Sequence, residues 1–125
     1  MERVRFITHK GRKVLLVDYS NLRDEAELLQ IIEQREFMID QQPKNSVLVI
    51  IIVTGAKWSK DVLTRAKEAN VYERPYVRRA ALVGVADYQK AAIDAVAMFS
   101  QRQWERFETL DEALDWIVSE EAATA

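Results

Sequence analysis

The chain has 125 residues, of which 49% are hydrophobic, and this is enough for one domain with a single buried core. Its 18 basic and 20 acidic side chains leave a formal net charge of -2, without the basic excess expected of a nucleic-acid-binding protein. No cysteine is present, which excludes disulfides, thiolate metal sites and thiol nucleophiles.

The first part of the chain predicts a hairpin followed by a long helix. Residues 3–18 predict two antiparallel strands, of which the second, 13–18, is the more buried. Ser20 or Asn21 is the predicted N-cap of an amphipathic helix, whose apolar spacing continues until Pro43 interrupts it.

The centre of the chain predicts a buried parallel strand and a crossover helix. Residues 47–53 are β-branched residues and leucine without interruption, which is typical of a strand covered on both faces. Thr54 and Gly55 end this strand, and a second helix is predicted from about Ser59 to about Asn70.

The last part predicts two further strands, at 76–85 and 104–107, and two helices. The first of these helices is predicted from an apolar stripe at helical spacing, formed by Tyr88, Ala92, Ala95, Val96 and Phe99. Thr109 and Glu112 predict a capping box at the start of the second.

The predicted fold is α/β, in the order β-β-α-β-α-β-α-β-α. It is a mixed, mostly parallel sheet of about five strands with an N-terminal hairpin and four helices. We expect a single domain over residues 1–120, with 121–125 as a frayed tail. The apolar runs are too short to span a bilayer and the first residues lack the apolar core of a signal peptide, so we expect a soluble cytoplasmic protein with no transmembrane segment.

Three segments resemble the small SpoIIAA-like proteins of the STAS superfamily: RVRFITHKG at 3–11, DYSN at 18–21 and VTGAKW at 53–58. That superfamily includes the anti-sigma factor antagonists and the sulfate-transporter regulatory domains, and it is grouped with CRAL-TRIO-type lipid carriers. The resemblance covers nearly the whole chain by element order. It implies a STAS-like fold and a non-enzymatic regulatory or protein-interaction module, which docks through the loop and helix after the central strand.

In the anti-sigma antagonists a phosphorylatable serine begins the helix after the central strand. A phosphate is favoured there because of the backbone N–H groups and the helix dipole. In step with that pattern the position falls at Asp61 or Val62, and Ser59 lies slightly early. Ser59 is therefore either a phosphoacceptor or an N-cap. Asp61 either mimics a permanent negative charge in the first turn of the helix, or this chain lacks the phosphorylation switch.

The carboxyl ends of parallel strands meet at one edge of a sheet, and this edge is the predicted site. The candidate partner-binding or ligand-binding residues are Asp18, Ser20, Thr54, Gly55, Lys57, Trp58, Ser59 and Asp61. Hydroxyl groups, an aromatic ring and mixed charge suit recognition more than bond breaking. Two residues have structural alternatives: Asp18 orders the following turn, and Trp58 packs over the core.

No catalytic constellation is apparent, so we predict no enzyme, no cofactor and no metal site. The one histidine, His9, lies in the hairpin turn, at a distance of roughly 20 Å from Asp18 along the strand, too far for a dyad. A metal at His9 would have no second histidine or cysteine beside it.

A second function remains open, that of a domain binding a small apolar molecule or lipid. Its candidate residues are Arg78 and Arg79, from a basic cluster with Arg74, and Val96, Met98 and Phe99 of the third helix. The arginines either contact an anionic group or simply occupy a solvated strand end. The helix either faces the core, forms a homodimer or lines an apolar groove. The expected partner is thus an unidentified protein, a second copy or an apolar small molecule.

Overall fold

The computed structural model of the protein describes residues 2–119 and contains one five-stranded sheet and four α-helices. The strands are β1 (Val4–His9), β2 (Arg12–Asp18), β3 (Val47–Ile52), β4 (Val77–Val83) and β5 (Glu105–Phe107), and the helices are α1 (Glu25–Asp40), α2 (Lys60–Glu73), α3 (Lys90–Ser100) and α4 (Leu110–Val118). A 3-10 turn, Asp87–Gln89, precedes α3. The predicted α/β class and element order are confirmed, whereas the predicted frayed tail, 121–125, lies outside the described residues.

The strand order in the sheet is the order in the chain, β1-β2-β3-β4-β5. β1 and β2 are antiparallel, and β2 to β5 are parallel. Because the three parallel crossovers run in the same direction, right-handed connections place α1, α2 and α3 on one face. The opposite face is covered by α4, whose Leu114 and Ile117 share a buried cluster with Leu48 and Ile50 of β3.

β3 is the central strand, and its residues are buried because helices pack on both faces. Val49 and Ile51 belong to the cluster beneath α1, α2 and α3, whereas Leu48 and Ile50 belong to the cluster beneath α4. The alternation has the period of two that a strand imposes. The uninterrupted apolar run at 47–53 is therefore explained by burial on both sides.

The start of α1 differs from the prediction, which placed the N-cap at Ser20 or Asn21. The N-cap is Asp24, whose side chain accepts a hydrogen bond from the backbone N–H of Glu27. Asn21 has a positive φ of 59°, which lies outside the helical region, and Leu22 is buried in the turn that precedes α1. The prediction was wrong because a local cap signal at 20–21 belongs to this turn.

The apolar stripe predicted for the third helix only partly faces the core. Of its residues Val96 is buried and Ala92 is half-buried, but Ala95 is exposed, and Tyr88 and Phe99 are 57% and 60% exposed. Ile93, which was not predicted, is the second buried residue of this helix face. In contrast, the predicted capping box of the last helix is confirmed, with Thr109 as its N-cap.

The hairpin is tied to α4 by a polar contact on the second face of the sheet. Nε2 of His9, the last residue of β1, lies 2.9 Å from Oδ1 of Asp115 in α4, and Nζ of Lys10 lies 3.1 Å from the same oxygen. These contacts lower the pKa of Asp115 below its ordinary value, chiefly through the hydrogen bond from His9.

Within residues 2–119 no helix has the length and apolar character needed to cross a membrane.

Candidate functional site

Three loops meet at the carboxyl edge of the parallel strands, and we call this edge the rim: residues 18–24, 53–59 and 84–86. The backbone N–H of Asn21 donates to the carbonyl of Thr54 at 2.7 Å, and that of Lys57 donates to Leu22 at 3.1 Å. The buried amide of Gln89 donates to the carbonyls of Val53 and Ala56. The side chain of Gln89 also accepts a hydrogen bond from the backbone N–H of Ala86, so hydrogen bonds connect all three loops of the rim.

The glycines of the rim are positions where another backbone or side chain approaches closely. Gly84 has a φ of 81°, and a methyl group there would collide with Oγ1 of Thr54. Gly55 has a φ of 69° and is approached in the same way by the side chain of Asn21. Both glycines let neighbouring loops come into contact without strain.

Asp18 and Ser20 are engaged in the turn that follows β2. Oδ1 of Asp18 accepts a hydrogen bond from the backbone N–H of Ser20 at 2.8 Å. The guanidinium of Arg3 donates to the carbonyl of Ser20 at 3.1 Å and lies 3.9 Å from the Asp18 carboxylate. Asp18 therefore orders the turn after β2, which is the structural alternative to a role in binding.

Ser59 is the N-cap of α2. Its Oγ accepts from the backbone N–H of Val62 at 3.2 Å and donates to the Glu25 carboxylate at 2.5 Å. Asp61 is exposed in the first turn of α2, where negative charge is favourable. A phosphate on Ser59 would sit beside the negative charge of Glu25, which opposes the attraction of the helix dipole.

Trp58 is half-buried and lines an apolar cavity between the sheet, α2 and α3. The volume of this cavity is about 60 Å³, whereas an engineered cavity that binds benzene has about 150 Å³. Val96 also lines it, but Met98 is 81% exposed and Phe99 lies on the surface with it. The residues predicted for an apolar ligand therefore do not form a common pocket.

A group of buried polar side chains, which the sequence analysis missed, adjoins this cavity. Arg35 of α1 forms a bidentate pair with Glu73 of α2, with its Nε 3.0 Å from Oε2 and its Nη2 2.6 Å from Oε1. Arg35 also donates to the hydroxyl of Tyr19 and to Oδ1 of Asn70. Oδ1 of Asn70 accepts a second hydrogen bond, from Arg102 at 3.3 Å. We call these five residues the buried polar cluster.

The electrostatics of the buried polar cluster follow from burial and pairing. Burial disfavours the charge on Arg35, but Glu73 and Tyr19 outweigh it and raise the pKa of Arg35 above its ordinary value. Burial raises the pKa of Tyr19 as well, although the positive charge of Arg35 opposes this. Helical spacing alone could have placed each member of the pair on a buried helix face. Arg35 follows Ile31 and Ile32 on the buried face of α1, and Glu73 follows Ala69 on the buried face of α2.

The outer face of α3 and of the 3-10 turn before it presents apolar side chains, which begin at the rim with Tyr88 and continue away from it to Met98 and Phe99. Tyr88, Ala91, Ala95, Met98 and Phe99 are all exposed, and their spacing of three or four residues places them along one side. The Tyr88 hydroxyl donates to the carbonyl of Ala56 in the rim at 3.1 Å, which joins this stripe to the loop after β3. The loop 54–59 and these five residues together are the docking surface considered below.

Within residues 2–119, no group of three histidine or acidic side chains is placed so that it could hold a metal ion. Arg78 and Arg79, predicted for the alternative function, lie at the start of β4, away from the rim. They line a separate groove with Arg102, Trp104 and other residues of the β5 edge.

Comparison with known proteins gives a likeness in structure. No family model and no curated protein matches the chain. A solved structure does match: an uncharacterised protein from the DUF3478 family, from Shewanella loihica PV-4, which has a SpoIIAA-like fold. The TM-score is 0.68, each chain is covered over 91% of its length, and 17% of residues are identical. The chain has the SpoIIAA-like fold.

Within this SpoIIAA-like fold, the rim is the edge where the loops after the parallel strands meet. At 17% identity the likeness shows the fold alone, so the roles of Ser59, Trp58 and the docking surface must be argued from the chain's own geometry.

Proposed function

We propose that the protein is a non-enzymatic regulatory module of the STAS type, which binds a protein partner through the docking surface. The observation that carries this proposal is the exposure of Tyr88 beside the rim and of Met98 and Phe99 farther along the same side of α3. Contiguous exposed apolar side chains mark interaction sites on folded proteins, and aromatic residues and methionine are enriched at such sites.

Charge around the docking surface favours a partner whose own apolar patch is bordered by acidic groups. Lys57 and Lys60 are exposed on the rim side, and the ammonium of Lys67 lies 5.6 Å from the Phe99 ring. The nearby carboxylates of Asp87 and Asp94 are paired with Lys90 and Arg106. Electrostatic complementarity of this kind chiefly increases the rate of association and fixes its orientation.

The engagement of the rim side chains supports recognition rather than catalysis. Asp18 and Ser59 both accept hydrogen bonds from backbone N–H groups two or three residues later, and these bonds order the backbone of the rim. The small apolar cavity likewise favours an external partner over an enclosed lipid, because a lipid chain needs far more than about 60 Å³.

The test is affinity capture from a lysate of the source cells with matched variants of the full chain. Phe99→Ser and Trp58→Ala should lose a protein that the unmodified chain retains. Phe37→Ser is the control, because Phe37 is 65% exposed but lies on α1, outside the docking surface. A partner retained equally by Phe99→Ser and by the control would contradict the proposal, as would the absence of any retained protein.

Sedimentation of the purified chain distinguishes a second copy from a different protein. A dimer that dissociates in Phe99→Ser and persists in Phe37→Ser would mean that the docking surface serves self-association. A monomer in all three forms leaves a different protein as the partner.

A further inference from the structure

A groove at the amino end of β4 and β5 is lined largely by arginines, and we call it the arginine groove. Its volume is about 600 Å³, within the roughly 300–1,000 Å³ typical of small-molecule sites. Its principal lining residues are Arg78, Arg79, Arg102, Trp104, Arg106 and Trp116. A second hollow, which shares Arg78, Arg79 and Arg102, extends it toward Arg74.

Positive charge predominates along the arginine groove. Among the lining residues that belong to the described range 2–119, four are arginines and one, Glu105, is a carboxylate. Arg106 is offset by an ion pair with Asp94, at 2.6 Å. Arg79 makes no ion pair within residues 2–119, since its Nη1 donates to the carbonyl of Trp116 and its guanidinium stacks 3.7 Å from that ring. These two contacts hold the guanidinium of Arg79 in a fixed position.

Arg102 places a buried positive charge without a full set of acceptors in the wall of the groove. The residue is 8% exposed, and its Nη1 makes only long hydrogen bonds, of 3.3 and 3.4 Å, to Asn70. Its Nη2 has no hydrogen-bond acceptor in the described part of the chain. Buried guanidinium groups in folded proteins are normally satisfied by several acceptors, so this one is an exception, and its uncompensated charge favours an anion in the adjoining groove.

The neighbouring charges do not neutralise Arg102. The buried polar cluster contains two guanidiniums and one carboxylate, that of Glu73, which is already paired with Arg35. Burial, followed by the repulsion from Arg35, lowers the pKa of Arg102 to about 10, and the group is still charged at neutral pH. A counter-charge from outside the cluster would remove this repulsion.

Trp104 supplies a second donor of the same kind two residues away. Its indole Nε1 is buried and has no acceptor within residues 2–119, and the side chain lines the arginine groove. The turn that positions both residues begins at Gln101, which has a φ of 54° and ends α3. The next backbone N–H, that of Arg102, donates to the carbonyl of Ala97 at 2.9 Å.

We propose that the arginine groove is a binding site for a phosphate group, either as free phosphate or as the phosphate ester of a small aromatic molecule. Guanidinium forks match the oxygens of a phosphate in pairs, and a dianion balances more than one arginine. Trp104 supplies an aromatic wall for an ester. The groove lies at the opposite end of the strands from the rim, so this site does not rest on the docking proposal.

The test is calorimetric titration of the full chain with inorganic phosphate and with phenyl phosphate, at pH 7 and constant ionic strength. One saturable site is expected. Tighter binding of phenyl phosphate would identify an ester as the ligand, whereas equal affinities would identify phosphate alone.

Two variants and a control make the test specific. Arg102→Met removes the buried charge and should weaken phosphate binding at least about tenfold, in line with the loss of a charged hydrogen bond. Arg78→Gln removes a second arginine of the groove, at an exposed position, and should weaken phosphate binding several-fold. Arg23→Gln removes an equally exposed arginine from the turn before α1 and should leave binding unchanged.

Stability adds a readout that separates binding from folding. Without phosphate, Arg102→Met should unfold at a temperature no lower than the unmodified chain, because an uncompensated buried charge has been replaced by an apolar side chain. The proposal is overturned if the unmodified chain shows no saturable binding up to about 10 mM phosphate. It is equally overturned if Arg102→Met and Arg78→Gln bind as tightly as Arg23→Gln.

Discussion

Glu73 is the carboxylate of the buried polar cluster, and it balances the charge of Arg35. It is fully buried at the end of α2, and its carboxylate accepts hydrogen bonds from Nε and Nη2 of Arg35. Removing one partner of a buried pair leaves the other charge unpaired in a low-dielectric environment, and this costs more than the pair itself contributes.

We therefore expect Glu73→Gln to lower the free energy of unfolding by about 3–5 kcal/mol at pH 7. Urea denaturation followed by circular dichroism measures this change. Glu68→Gln, at an exposed position on the same helix, is the control and should stay within about 0.5 kcal/mol of the unmodified chain. A loss at Glu73 no larger than that of the control would show that the pair is not needed for stability.

Asp115 should make stability depend on pH through its contact with His9 and Lys10. The contact lowers the pKa of Asp115 in the folded protein. Its contribution to the free energy of unfolding is therefore complete above the pKa of an unfolded aspartate, about 3.9, and is lost as pH falls through the lower pKa of the folded protein. We expect the stability difference between the unmodified chain and Asp115→Asn to be present at pH 7 and to shrink below about pH 4. Urea midpoints at both pH values measure it, and a difference that is constant with pH would exclude this linkage.

At the scale of elements, the rim depends on loops that lie against one another. The loop after β4 can approach the loop after β3 because Gly84 has no side chain to meet Thr54. Gly11, in the hairpin turn, has a similar φ of 78° but has no atom near the position of an added methyl group. Substitutions at these two glycines therefore distinguish the cost of backbone strain, present at both, from that of steric collision, present only at Gly84.

We expect Gly11→Ala to cost roughly 1–2 kcal/mol of stability, which is the strain of a left-handed backbone. Gly84→Ala should cost clearly more, because the same strain is joined by the collision with Thr54. Thermal or urea denaturation of both variants measures the difference. Adding Thr54→Ala to Gly84→Ala should recover part of the loss, and the interpretation fails if the two glycine variants are equally stable.

The whole molecule has unequal layers, with three helices on one face of the sheet and α4 on the other. Ile117 is fully buried in the cluster that α4 forms with the central strands. Because α4 covers Leu48 and Ile50 of β3, it should unfold together with the sheet rather than before it.

Ile117→Ala is therefore expected to lower the free energy of unfolding by about 2–5 kcal/mol, the usual cost of such a truncation in a core. Tryptophan fluorescence and far-ultraviolet circular dichroism should give the same shifted transition in urea. Two separate transitions would mean that α4, which carries Trp116, detaches before the sheet unfolds.

Much of the fold could be predicted because its signals are local. The apolar run at 47–53 and the capping box at Thr109 each lie within a few residues and are read directly from the sequence. The buried pair joins Arg35 to Glu73, and the hairpin contact joins His9 to Asp115 across most of the chain, so neither partner could be identified before the helices were placed. The site was predicted as a set of converging loops, but which side chains serve the backbone and which are exposed depends on tertiary packing.

The sequential strand order has a consequence for how the chain assembles during synthesis. Each strand from β2 onward pairs with the one made immediately before it, so no emerging strand has to insert between two that are already joined. A nascent chain can therefore extend the sheet from one edge, adding a helix to the same face with each crossover. The apolar face of the sheet that contains Leu48 and Ile50 would stay exposed to solvent until α4 had left the ribosome. During that interval the unfinished protein should be most prone to aggregate.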